Sequence, residues 1–216
     1  MFIGHYGPGF AAKAAVRAVP LWVLFVAVQF LDFVWAALVL LGVEKVRIVP
    51  GFTEGSPLDL YYMPYTHGLA GALVLSLLLG ATVAAFMPAR RGAAFAIVAL
   101  AVFSHWLLDL IVHVPDLWIY DGVKVGFGLW RHAAFSVPLE LAFLLAGAWL
   151  YARYVPARRG GNLWLWAFVL ALAAVQVYGD FMPPPASATT VAATALLAYS
   201  AIAALAALVD LTRRKA

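Results

Sequence analysis

The sequence predicts an all-α, polytopic membrane protein of about six transmembrane helices, preceded by a short N-terminal half-length helix. Composition is the first reason: 66% of the 216 residues are hydrophobic and only 11% charged, with a mean hydropathy of +0.96. A soluble chain is about half apolar and a quarter charged, so this surplus of apolar surface needs the bilayer as its solvent. The second reason is that the apolar residues gather into six windows of spanning length. The third is that Lys and Arg fall mostly on one side of those windows.

Residues 6–18 are the first element, too short to span, with Lys13 and Arg17 near the end and Pro20 closing it. This reads as a half-length or interfacial helix. The windows 21–42, 63–87, 93–114, 133–154, 163–181 and 186–211 follow, each near the roughly 20 residues that a membrane helix needs. If the first window leaves the cytoplasm, Lys13, Arg17, Arg90, Arg91, Arg153, Arg158, Arg159, Arg213, Arg214 and Lys215 lie inside. Only Lys45, Arg47, Lys124 and Arg131 then lie outside, which places the C-terminus in the cytoplasm by the positive-inside rule. The outer connections are 43–62, 115–132 and 182–185, and the first two carry Tyr61, Tyr62, Trp118, Tyr120, Phe127 and Trp130. These aromatics read as a belt at the headgroups or as a lid over a site.

No stretch is polar enough for a separate soluble domain, so residues 1–216 read as one integral-membrane domain. The N-terminus lacks the basic region, apolar run and small-residue cleavage site of a signal peptide, and none is expected. Zero cysteines rule out disulfides and thiolate metal sites. Any metal must rest on His, Asp and Glu, which favours zinc, iron or manganese over copper(I). The net charge of +4 comes from short basic clusters at helix ends, a topological signal rather than a nucleic-acid footprint. No nucleotide-binding glycine loop or serine nucleophile elbow is present.

Ionisable residues inside spans cost about 2.5 kcal/mol or more each at the membrane centre, so each is a functional candidate. The first window carries Gln29 and Asp32, three residues apart and on one helical face. The second opens with Tyr65-Thr66-His67, and the third carries His105, Asp109 and His113 at intervals of four, stacked on one face. The fourth carries His132, Ser136 and Glu140, and the fifth ends with Gln176 and Asp180. In the orientation above, Asp32 and His105 lie near the midplane and the others in the outer half, which suggests one polar cavity open to the outside. If residues 6–18 fold back on the first window, His5 joins Asp32 near the midplane. His113 and His132 also read as solvated interfacial histidines, Asp180 as a helix-end residue, and Glu140 as either a packing residue or an orienter of a metal ligand. The pair His105 and Asp109 can hold a metal together, with a plain histidine–carboxylate hydrogen bond as the alternative.

Four ordered motifs resemble the YdjM-like bacterial inner-membrane proteins, a family labelled membrane-bound metal-dependent hydrolases. They are Gly4-His5 before Gly9-Phe10-Ala11-Ala12, Leu31-Asp32-Phe33, Tyr65-Thr66-His67-Gly68, and Ser104-His105-Trp106-Leu107-Leu108-Asp109. The resemblance covers about the first half of the chain. Leu31 and Val34 stand where the family has a proline and a second acid, Met63-Pro64 where it has Arg-Gly, and Gly68 where it has a serine. The resemblance implies a bacterial inner-membrane location and zinc-dependent, phospholipase-like hydrolysis.

Three functions are therefore expected in competition. The first is a membrane hydrolase with a divalent metal, zinc foremost, held by His5, Asp32, His67, His105 and Asp109. In it Asp32, Asp109 or Glu140 has the catalytic role, Glu140 or an unligated aspartate being the general base, and the substrate is a lipid or lipid-linked molecule. The second is a proton- or metal-ion-coupled transporter using the same residues. The third is a non-catalytic membrane scaffold, for which several buried ionisable groups are a costly glue.

Overall fold

Prolines, glycines and one buried acid decide where the apolar windows become helices. The computed structural model describes residues 1–120 and 122–214, with Asp180 described by its backbone alone. A 3-10 turn at Ile3–His5 leads into α1 (Tyr6–Ala15). Pro20, in an extended conformation, then starts α2 (Leu21–Val28). The chain breaks at Gln29 and turns by 55° into α3 (Phe30–Leu40). Strands β1 (Lys45–Ile48) and β2 (Leu58–Tyr62) form an antiparallel hairpin before α4 (Leu69–Ala85) and α5 (Arg91–Val112). A second hairpin, β3 (Leu117–Tyr120) with β4 (Val123–Val125), precedes α6 (Ala133–Tyr154), α7 (Gly161–Asp180) and α8 (Ala188–Leu211).

The helical class expected from the sequence is observed, but the six-span count is not. Among the described residues, four helices are long and apolar enough to cross a membrane, or five if the bent pair α2–α3 counts as one span. The window 63–87 yields only the 17 residues of α4, about 25 Å at 1.5 Å per residue. Its first six residues are held out of the helix. Pro64 disfavours helical geometry in the residue before it, and the Glu44 carboxylate draws the Tyr65 and Thr66 N–H groups to itself at 2.9 and 3.0 Å. Gly68 is required at this turn, because a Cβ there would collide with the Pro64 carbonyl. The two outer connections read as loops are, in their middles, the short hairpins.

Apolar side chains face outward all along the bundle, among them Leu77, Leu100, Leu145, Leu170 and Leu197. A belt of this size marks a membrane-facing surface. The connections at 16–20, 86–90, 155–160 and 212–214 gather at one end with most of the described Lys and Arg residues, and the hairpins lie at the other.

Helix α1 folds back along α2 and packs across α6, as the sequence pattern of residues 6–18 suggests. The crossing with α6 is close because both partners are glycines there. A Cβ on Gly7 would collide with the Phe143 carbonyl, and one on Gly147 with the Gly7 carbonyl. Small residues allow this approach of helix backbones. Around α1, Tyr6, Phe10, Phe25 and Tyr151 form a buried aromatic layer with centroids 4.8–5.4 Å apart. Gly147→Ala should therefore force the helices apart and destabilise the bundle by about 1–3 kcal/mol. Gly179→Ala, with open space around it, should not; thermal unfolding of the two variants in detergent compares them.

Candidate metal centre

Helix α5 supplies the middle of the centre. His105 and Asp109 lie one turn apart on its inward face, both buried, and His113 follows just past its last turn. Asp109 Oδ2 stands 3.0 Å from His105 Nε2 and 3.5 Å from His67 Nε2. Asp109 Oδ1 faces His5 Nε2 at 3.1 Å, His113 Nε2 at 3.6 Å and the Met1 amino nitrogen at 2.5 Å. Asp32 closes the other side, its Oδ1 being 3.4 Å from His67 Nε2 and 3.6 Å from His105 Nε2. Its second oxygen accepts a hydrogen bond from the Tyr199 hydroxyl of α8 at 2.8 Å. The His5 and His105 rings stack at 3.7 Å.

The opposite edges of three of these histidines are fixed by acceptors. His105 Nδ1 donates to the Val28 carbonyl at 2.7 Å, at the break between α2 and α3; a side chain inserted at a helix carbonyl is a recognised companion of such kinks. His113 Nδ1 donates to Asp116 Oδ1 at 2.9 Å. Thr66 Oγ1 gives its proton to Glu44 Oε2 at 2.6 Å, so it accepts from His67 Nδ1 at 2.8 Å. Carbonyls and carboxylates only accept, so the Nδ1 proton is committed in each ring, and in the neutral ring Nε2 presents a lone pair. Those lone pairs point at carboxylate oxygens, and His105 Nε2 has no hydrogen-bond partner. With the rings neutral, these nitrogens and the Asp32 and Asp109 carboxylates offer a cation more donors than the Met1 amino group on Asp109 Oδ1 uses, and outer partners of this type are what orient metal-ligating histidines.

Two overlapping triads, His5–His105–Asp109 and Asp32–His67–His105, have ligand atoms all within 4.8 Å of one another. Either could hold a metal ion. The donors are nitrogen and oxygen only, a set that suits zinc, iron or manganese.

All five residues expected as ligands thus meet at one point, although they come from four separate segments. Glu140, expected as a base, a packing residue or an orienter, lines the adjoining cavity. Its Oε2 accepts the backbone N–H groups of Phe2 at 2.7 Å and Gly4 at 3.4 Å, so it positions the turn that carries His5. His113, expected as a possible solvated histidine, is buried. The segment after hairpin β3–β4 folds over it, with Gly128 N–H donating to its carbonyl at 2.7 Å and the Trp130 ring 4.3 Å away. His132 is exposed and stands apart from the cluster. Gln176 lines the adjoining cavity, while the Asp180 side chain and Lys215 lie outside the described residues. Sequence reasoning missed Glu44, Asp116 and Tyr199. A carboxylate three residues after His113 was the one local signal available; Glu44 and Tyr199 come from a loop and an alanine-rich helix with no motif around them.

A cavity of about 210 Å³ opens over His67, Asp109, Asp32 and Glu140. It shares Phe2, Ser56, Leu58, Val191 and Tyr199 with a groove of about 1000 Å³ between α7, α8 and the β1–β2 connection. Compared with protein-family models, curated proteins and solved structures, the chain finds no match in any of the three. If Thr66 orients His67 as a ligand, Thr66→Val should weaken metal binding roughly 10–100-fold. Competition with a chromophoric chelator measures this, and an unchanged affinity would count against the Glu44–Thr66–His67 relay.

Proposed function

We propose that this chain is a membrane-embedded, metal-dependent hydrolase acting on a lipid or lipid-linked substrate, with zinc as the first candidate metal. The observation that carries the reading is that acceptors hold the Nδ1 side of His67, His105 and His113 and turn their three Nε2 atoms toward Asp109 and Asp32. The donor set fits a divalent cation, and the orphaned His105 Nε2 lies among the would-be ligands. His5, His67, His105, Asp32 and Asp109 would hold the ion. Bound there, it would supply Lewis-acid polarisation of an acyl or phosphoryl oxygen and acidify a water molecule.

The protein's own groups account for the rest. The carboxylate oxygen of Asp32 or Asp109 left free of the ion accepts the proton of a water in the 210 Å³ cavity. Tyr199 fixes the orientation of Asp32 through its 2.8 Å hydrogen bond. The groove beside the cavity, walled by Val175, Met182, Val191 and Ala195, accommodates an alkyl chain and keeps bulk water from the reacting bond. The resemblance of the motifs to the YdjM-like family supports the same chemistry and a bacterial inner-membrane location, and the bias of Lys and Arg supports a cytoplasmic C-terminus. A conduit for ions is less well supported, because the buried layer of Tyr6, Phe10 and Phe25 closes the bundle beneath the centre.

His105→Ala should remove both the bound metal and hydrolysis of phospholipid or acyl-ester substrates by the purified protein. Retention of metal at the wild-type level would overturn the ligand assignment. Ion flux in proteoliposomes without any hydrolysed product would favour the transporter.

A further inference from the structure

A second cavity lies at the basic end of the bundle, away from the metal centre, and its walls carry charge of one sign. It has a volume of about 840 Å³ and is lined by Lys13, Arg17, Arg90, Arg158, Arg213 and Arg214, with Asp210 the one acid among its lining residues. Asp210 is already engaged: it accepts from Lys13 Nζ at 3.0 Å, from the Leu21 N–H at 3.1 Å and from the Tyr151 hydroxyl at 3.1 Å. Among the described residues, Lys13 is the only one of the six cations with an acidic partner.

Arg213 forms part of the structure of this cavity rather than a loose surface charge. It is 2% exposed, donates to Asn162 Oδ1 at 2.8 Å and to the Gly161 carbonyl at 3.3 Å, and lies 4.8 Å from the centroid of the Tyr151 ring. Its Nε is buried without a partner. A buried guanidinium whose hydrogen bonds go to neutral acceptors carries a desolvation cost that an incoming anion offsets. Arg17, Arg90, Arg158 and Arg214 are exposed around it. They come from the end of α1, the α4–α5 turn, the α6–α7 turn and the end of α8, so the fold, not one basic run of sequence, brings them together. Trp22, 47% exposed, and Leu211, 65% exposed, complete the lining, and an indole beside cations at a helix end suits the membrane–water interface.

Topological bias alone requires cations at this end, not cations around a cavity. Guanidinium groups match phosphate oxygens in shape and charge. We propose that this cavity binds an anionic phosphate group, that of an acidic phospholipid headgroup in the leaflet at the basic end.

The test uses the purified full-length protein in an uncharged detergent, with thermal unfolding followed as lipid is added. Phosphatidylglycerol should raise the midpoint and phosphatidylcholine should not. Arg17→Gln/Arg90→Gln/Arg158→Gln should weaken the response to phosphatidylglycerol on the order of 100-fold, about five-fold for each cation removed. Arg91→Gln/Arg153→Gln/Arg159→Gln removes three cations of the same end that do not line the cavity, and should keep the response. A midpoint shift produced equally by inorganic phosphate, and lost in the first triple variant alone, would retain the phosphate site and assign it a soluble source. Equal loss in both triple variants, or no response of the wild type to either phosphate, would overturn the proposal. Metal content should be the same in all three proteins, so this outcome is independent of the metal centre.

Discussion

Asp109 is a carboxylate buried within the last turn of α5 and surrounded by nitrogen atoms on both of its oxygens. A charge in that position costs several kcal/mol unless it is paired and hydrogen-bonded, and its partners come from far along the chain. His5 arrives on the turn before α1, His67 on the turn before α4, and Asp32 just past the kink between α2 and α3. The packing of α1 against α6, the kink at Gln29 and the shortening of α4 all bring a partner to this one point. Each departs from what a plain bundle of straight apolar helices would do.

The departures share a cause. A straight 22-residue helix satisfies its own backbone and needs nothing else in a membrane. Where the chain breaks, backbone groups are released, and here they find partners at the centre. The Val28 carbonyl takes the His105 Nδ1 proton, and the Tyr65 and Thr66 N–H groups go to Glu44. Local helix irregularity thus buys the orientation of two histidines.

Much of this was legible in the sequence, and the division follows the range of the interactions. Spans read from apolar length were placed well where the helix ends in Gly, Pro or a charged cluster, as in α6, whose ends coincide with the expected 133–154. The window 63–87 failed because the competitor for its first N–H groups, Glu44, is 21 residues upstream and reaches it only through the folded hairpin. The five residues that meet at this point stood out because each is ionisable in an apolar setting, where such residues are rare. His113 was ambiguous for the opposite reason: at a helix end its burial depends on the segment around Gly128 and Trp130, which a run of aromatic and glycine residues does not announce. Tyr199 is invisible within its alanine-rich helix, since only the packing of α8 against α3 gives it Asp32 as a partner. Glu140 was recognised as important, but its hydrogen bonds to the backbone of Phe2 and Gly4 could not be read from its spacing to other residues.

The two ends of the bundle divide the chemistry. One holds carboxylates and imidazoles beneath a groove of apolar side chains, and the other holds arginines around a cavity. Between them lies the buried aromatic layer around α1, and the cavity over the candidate metal centre adjoins the groove at the hairpin end. The central claim is that imidazoles and carboxylates from separate helices surround a metal ion. X-ray absorption spectroscopy of the purified protein tests it most directly. The account predicts a first shell of nitrogen and oxygen, for zinc at about 2.0–2.2 Å, with outer scattering from at least two imidazole rings that is lost in Asp109→Asn. Protein purified without any transition metal and unable to take one up, or a bound metal whose shell holds no imidazole, would contradict it.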